Sequence, residues 1–377
     1  MNDVKRKLSE ILKAIYRKKR SRNPRIYIYM RAVQYWEKIM TTIFNYPSRC
    51  YEKCPVHPKT LSNPVRELKY FSDRFGIYAI SKSLICRISK EKEDIEIVSR
   101  LLKKIDERIK NDDLYEKLSA EIICKVLAYR NLEKGDIVSI PVLEGDERGI
   151  VKYRVDHTFD LWKQVVAFAL LPESERGLPI LLYRGTEFNI ATKSGRATML
   201  SDLDPEGPGH KMFNIARDEI HKWLRGPGKC NAIVMGHSLG GALANYTAIY
   251  EHDCISKTIP SYTFNAPGID APVVSVWDAI PDEKRPAISA YITQGDVVAK
   301  FGKLYATAYE VSAHKTLSPV IAHQTLAFTY PCTVIAPIDL EKENTSQSRL
   351  YYSKLQKHTT SWAYRFGLKH LLPKPNK

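Results

Sequence analysis

The sequence predicts an α/β fold: a mostly parallel sheet with helices on both faces, preceded by a helical N-terminal extension. Three observations carry that expectation. From about residue 136 to about 335, short apolar runs alternate with helical stretches. Within that region a Gly-His-Ser-Leu-Gly-Gly turn, 236–241, joins an apolar run to a helix rich in Ala and Leu. Upstream of it the apolar residues recur mainly at helical spacing.

Taken in order, Glu96 to Ile109 and Leu114 to Tyr129 carry apolar residues three and four apart with charges between them. Pro47, Pro55, Pro58 and Pro64 break the chain before Arg66. Asp136 to Leu143 and Ile150 to Asp156 read as strands around a Glu-Gly-Asp-Glu-Arg-Gly turn, a hairpin signal. Pro179 to Tyr183 reads as strand and Lys211 to Leu224 as helix. Asn231 to Met235 is strand again, followed by a helix from Leu239 to about Glu251. Ser261 to Asn265, Ala287 to Thr293 and Leu304 to Val311 complete the expected strands. The chain therefore divides into a basic, mainly helical extension (1–135), an α/β domain (136–335) and a basic C-terminal tail (336–377). The extension assembles no catalytic set, and its expected role is packing.

With 44% hydrophobic residues and 22 Tyr, 11 Phe and 5 Trp among 377, the chain can bury a sizeable core. No run approaches the roughly 18 apolar residues of a membrane span; Val165 to Leu171 is too short. The N-terminus is basic without the apolar core of a secretory signal, so a soluble, cytoplasmic protein is expected. Cys50, Cys54, Cys86, Cys124, Cys230, Cys254 and Cys332 follow no repeating spacing and read as reduced thiols. Cys50, Cys54 and His57 could ligate zinc but have no clear fourth partner, so no metal is expected.

A formal charge of +16 favours anionic partners. The excess concentrates in residues 1–25, where Lys5, Arg6, Lys7, Lys13 and Arg17 to Arg20 outweigh Asp3 and Glu10. Val4, Leu8, Ile11, Leu12 and Ile15 form an apolar stripe there, which Asn23-Pro24 ends. The stretch fits a helix docked on the rest of the protein, or one lying peripherally on anionic membrane. Nucleic acid is the least favoured partner, because no recognition motif accompanies the charge. Nothing indicates the oligomeric state.

The chemistry centres on Ser238. A serine at a sharp strand-to-helix turn is held in a strained conformation with its hydroxyl above the sheet. The small residues around it let helix and strand nearly touch, and the helix N-terminus faces the serine. A serine hydroxyl needs a base, itself oriented by a carboxylate. In this arrangement the partners follow in the order Ser, acid, His. Asp296, just past the strand Ala287 to Thr293, is the candidate acid, with Asp270 as rival. His323 is the candidate base, with His314 as rival. Two donors are needed for an oxyanion: the Leu239 backbone N–H and Thr186, which follows the strand ending at Tyr183. Arg184 reads as structural.

Tyr183-Arg184-Gly185-Thr186, then Gly236-His237-Ser238-Leu239-Gly240-Gly241-Ala242-Leu243-Ala244, then Thr263-Phe264-Asn265-Ala266-Pro267-Gly268, then Gly295-Asp296-Val297-Val298 resembles the class 3 lipases. The likeness covers about 180 to 330, with the motifs in the family's order. It implies an α/β-hydrolase fold, a Ser238–Asp296–His323 triad and an oxyanion role for Thr186. It also implies lipid esters as substrates. Glu187 to Pro208, where a lid would lie, is polar and rich in Gly and Pro. The expected activity is hydrolysis of carboxylic esters through an acyl-enzyme, without metal or organic cofactor. Two alternatives stay open: acyl transfer to an alcohol by the same residues, and a non-catalytic scaffold binding membrane or protein.

Overall fold

The structure, a computed structural model, describes residues 99, 102–103 and 112–351, less 131, 145–146, 161–164, 187–206, 313–321, 324–325 and 330–332. The basic stretch 1–25, the Cys50, Cys54 and His57 group, most of 96–109, the segment in the lid position and His314 lie outside the described residues. Among the described residues, no helix is long and apolar enough to cross a membrane, and no cluster of metal-ligating side chains occurs.

Nine strands lie side by side in chain order. They are β1 (Ile137–Glu144), β2 (Glu147–Asp160), β3 (Val165–Pro172), β4 (Ile180–Tyr183), β5 (Ile233–His237), β6 (Ser261–Phe264), β7 (Ile288–Thr293), β8 (Thr307–Ser312) and β9 (Val334–Pro337). The sheet is parallel from β4 to β8. The margins are antiparallel, with the expected hairpin β1–β2 at one edge and β9 at the other. The five helices of the described residues are α1 (Asp112–Lys125), α2 (His210–Arg225), α3 (Leu239–Tyr250), α4 (Ala271–Asp278) and α5 (Leu340–Asn344).

Side-chain alternation along the strands builds two cores. Ile180 and Leu182 of β4 join α1 on one face, while Leu181 and Tyr183 join α2 and α3 on the other. On the first face Tyr115, Leu118, Ile122 and Ile123 of α1 pack against Ile140, Phe168, Met235 and Phe264. Each such fully buried aliphatic or aromatic side chain contributes about 1.5–3 kcal/mol, so α1 is an integral layer of this fold. On the second face, α2 buries Met212, Phe213, Ala216, Ile220, Trp223 and Leu224, one helical stripe. Helix α3 is buried almost all round, because it lies between the sheet, α2 and α4.

Two strands and two helices, β3, β9, α4 and the short α5, went unread in the sequence. Strand β3 sends Phe168 and Leu170 into one core and Ala167 and Ala169 into the other. A strand buried on both faces has no polar alternation to reveal it. Strand β9 is a short edge with Val334 exposed. Helix α4 starts with Pro in its first turn, but its valines mimic a strand. Beyond β9 the chain stays pinned to the sheet. Arg349 is buried and donates to the Gly302 carbonyl (3.1 Å) and to Glu343 (3.2 Å), and Asn344 brackets Leu304 through its backbone N–H and C=O.

Cys124, Cys230 and Cys254 are free thiols. Cys230 is exposed and 3.1 Å from Cys254, whose thiol burial pushes up to about 12. Only thiolates alkylate quickly. Iodoacetamide on the native protein is therefore expected to modify Cys230 before Cys254 and Cys124, as peptide mapping over time would register.

Candidate active site

Ser238 occupies the turn between β5 and α3 with φ 58° and ψ −130°, a backbone region that residues with a Cβ rarely adopt. The strain is held from several sides. The Ser238 N–H donates to the Phe264 carbonyl at 3.0 Å, and its own carbonyl accepts from Gly241 and Ala242. A Cβ on Gly240 would lie 2.6 Å from the Tyr183 carbonyl oxygen, so only glycine lets α3 start this close to the end of β4.

Three of the sequence-predicted residues meet here. The imidazole Nε2 of His323 lies 2.9 Å from Ser238 Oγ, and its Nδ1 lies 3.0 Å from Asp296 Oδ2. Asp296 stands just beyond the C-terminal end of β7 and is 2% exposed. Its other oxygen accepts the Val298 N–H at 2.8 Å, which fixes the carboxylate's orientation. The rival acid Asp270 sits instead immediately before α4, where its backbone carbonyl accepts from Val273 and Val274.

Leu239 opens α3, so helix geometry leaves its N–H without an intrahelical acceptor. Thr186 is buried and follows β4 in a turn that lies against the elbow. At Gly185 a Cβ would lie 2.6 Å from the His237 carbonyl oxygen. The Arg184 guanidinium caps the Ala128 carbonyl at 2.9 Å and the Arg130 carbonyl, and lies over the Phe168 ring.

Three further residues of the site were not singled out from the sequence. Asn265, after β6, has φ 51°. Its amide donates to the carbonyls of Ala322 and His323, both at 3.0 Å, and accepts the Thr293 N–H at 2.7 Å. It thereby ties the His323 segment to the end of β7. His237 lies 2.8 Å from the His323 carbonyl through Nε2 and 2.8 Å from the Tyr129 hydroxyl through Nδ1. A signal for His237 was available: a histidine inside a buried elbow must find partners for both ring nitrogens. Nothing local marks Tyr129.

Burial, aided by the neighbouring His323 and Lys125, holds the His237 imidazole well below its usual 6.5. It stays neutral in the folded protein at a pH where the unfolded chain binds a proton. Unfolded-state proton uptake lowers stability as pH falls. Below about pH 6.5 this one group is expected to remove up to about 1.4 kcal/mol of unfolding free energy per pH unit. Denaturant titrations of wild type and His237→Gln between pH 7 and 5 check this, the variant showing the flatter slope.

The chain can now be set beside known proteins. Among solved structures it is similar to a triacylglycerol lipase from Penicillium expansum, at 14% identity over 63% of this chain and 85% of that one, with TM-score 0.37. It is also similar to a mutant form of MDLA from Penicillium cyclopium, at 14% identity over 66% and 89% of the two chains, with TM-score 0.38. No curated protein matches it. A family model described as Mbeg1-like matches residues 162–362, which hold Ser238, Asp296 and His323. That match spans more than half of the sequence, and the chain belongs to the Mbeg1-like family.

Proposed function

We propose that this protein is a serine hydrolase that cleaves carboxylic esters of lipids. The observation that supports it is the chain of contacts from Ser238 Oγ through the His323 ring to Asp296, 2.9 and 3.0 Å long and buried. An Nδ1–H donated to Asp296 leaves the lone pair of Nε2 facing the serine, the tautomer a general base requires.

In the reaction, Ser238 Oγ adds to the ester carbonyl carbon while His323 Nε2 takes the hydroxyl proton. The resulting oxyanion is stabilised by the Leu239 N–H and by Thr186. Its collapse breaks the acyl carbon–oxygen bond, and His323 passes its proton to the departing alcohol. Water then adds to the acyl-enzyme, its proton again going to His323. The second collapse frees the carboxylic acid and returns the proton to Ser238. Asp296 keeps the ring oriented and offsets the positive charge that develops on it.

The test is to incubate the purified chain with a fluorophosphonate probe and a series of p-nitrophenyl esters. Covalent labelling of Ser238, with release of p-nitrophenol that varies with acyl length, is the expected result. A folded protein that neither labels nor turns over any ester would overturn the proposal. Added acceptor alcohols that become esterified would redirect it to acyl transfer.

A further inference from the structure

Residues ahead of the family-matched segment 162–362 reach into this site. Tyr129 belongs to a short 3-10 turn following α1. Its hydroxyl spans 108 positions of sequence to meet His237 Nδ1 at 2.8 Å. The opposite nitrogen of the same ring lies 2.8 Å from the backbone carbonyl of His323. A carbonyl only accepts, so His237 Nε2 must carry the proton. The neutral ring then presents a lone pair at Nδ1, and the Tyr129 hydroxyl is its donor. The His323 carbonyl accepts from Asn265 as well, at 3.0 Å, so both of its lone pairs are engaged.

The fit is built for this contact. Tyr129 and His237 are both buried. A Cβ on Gly185 would collide with the Tyr129 hydroxyl, so the glycine of the Tyr-Arg-Gly-Thr motif is what leaves room for it. Glu121 of α1 makes a second grip on the same segment, accepting the N–H groups of Ala327 at 2.8 Å and Phe328 at 3.1 Å.

We propose that Tyr129 and His237 are positioning residues for the base: the Tyr129 hydroxyl, donating to Nδ1 of the Nε2–H tautomer, fixes the His237 ring, which holds the His323 backbone so that its ring meets Ser238. The functional consequence rests on the ester-hydrolase reading; the tautomer does not. Without the tyrosine hydroxyl, His237 Nδ1 loses the 2.8 Å bond that fixes that side of the ring. The ring, then held only through its Nε2–H to the His323 carbonyl, is free to tilt, and the segment that carries His323 loses its fixed position. A misplacement on the scale of an ångström costs roughly ten- to a hundredfold in rate. The loss falls on kcat and leaves KM unchanged, because neither residue lies among those proposed to touch substrate.

The experiment uses the full chain as wild type, Tyr129→Phe and His237→Gln. Two-bond proton–nitrogen spectra of uniformly labelled protein identify the His237 ring by the signal that disappears in His237→Gln. The expected wild-type signal is the Nε2–H tautomer with a hydrogen-bonded Nδ1; in Tyr129→Phe the tautomer is kept and the Nδ1 resonance moves toward that of a nitrogen without a donor. In parallel, the rate of fluorophosphonate labelling and kcat for an ester should fall roughly ten- to a hundredfold in Tyr129→Phe, with KM held and the far-ultraviolet spectrum unchanged. An Nδ1–H tautomer in the wild type overturns the proposal, as does a Tyr129→Phe variant that labels at the wild-type rate. If Tyr129→Phe fails to fold, His237→Gln and His237→Leu replace it: glutamine keeps a donor near the Nε2 position and should retain more activity than leucine. Equal activity in the two would count against the clamp. If the wild type labels with no probe, the hydrolase reading fails, and the tautomer of the wild-type ring still decides the positioning proposal.

Discussion

Replacing Ser238 by Ala is expected to abolish fluorophosphonate labelling and to lower ester turnover by roughly a millionfold, down to whatever background the assay resolves. The size of the effect follows from the division of labour in the site. In the proposed reaction His323 and Asp296 act only through the serine oxygen: one takes its proton and the other holds the ring that does so. Removing the oxygen therefore silences all three at once, which is why such groups show strongly non-additive losses. The donors on Leu239 and Thr186 would survive and still bind an oxyanion, so residual rate enhancement over water is expected to persist. The substitution also bears on stability. Ser238 is held at φ 58°, and alanine in that region is strained as serine is. With the backbone strain unchanged and only a hydroxyl removed, thermal unfolding should stay within a few degrees of wild type. Retained turnover in a folded Ser238→Ala chain would mean that ester cleavage occurs somewhere else.

What could be read from the sequence here is what is local. The elbow is a contiguous run whose glycines, serine and flanking strand and helix all specify the same geometry, and the order of Ser238, Asp296 and His323 along the chain is a one-dimensional property. The hairpin β1–β2 and helix α2 carry their periodicity on their surfaces, while α3, buried almost all round, is announced by the elbow that opens it. Strand β3 carries none, since it is buried on both faces. The supporting contacts were hidden for a different reason. Tyr129 meets His237 across 108 positions, and Glu121 meets Ala327 across 206. Such pairs leave no spacing to detect. Glu121 and Lys125, four apart on a helix with charges between its apolar residues, have the spacing of an ordinary surface pair, yet both are buried. The helical texture of 114–129 was legible; that its polar residues turn inward was not.

That inward turn produces the second large effect. Lys125 Nζ and Glu121 Oε1 lie 2.9 Å apart, both side chains at 0% exposure. The Glu121 carboxylate also accepts from the backbone of Ala327 and Phe328, while the Lys125 ammonium stands 5.7 Å from the Phe264 ring centroid. Glu121→Ala would leave a buried ammonium without its carboxylate and strip two buried N–H groups of their acceptor. Breaking a buried pair from one side costs about 3–5 kcal/mol, and each orphaned donor adds about 1–3. Against a total stability of about 5–15 kcal/mol, Glu121→Ala is expected to unfold the chain or bring it close to unfolding, as urea denaturation or poor soluble yield would show. The double substitution Glu121→Gln with Lys125→Met separates charge from shape. Glutamine keeps an acceptor for one of the two N–H groups at 327 and 328, and methionine fills the lysine's volume without a charge to satisfy. Replacing both partners of a buried pair is often neutral, so the double variant should recover the charge-pair part of the lost stability, short of wild type by about 1–3 kcal/mol for the one N–H still without an acceptor. If Glu121→Ala instead cost under about 1 kcal/mol, the scale of an exposed pair, α1 would not be gripping the segment that carries His323. The helix would then be a detachable cover, and the site would be complete within the family-matched residues alone.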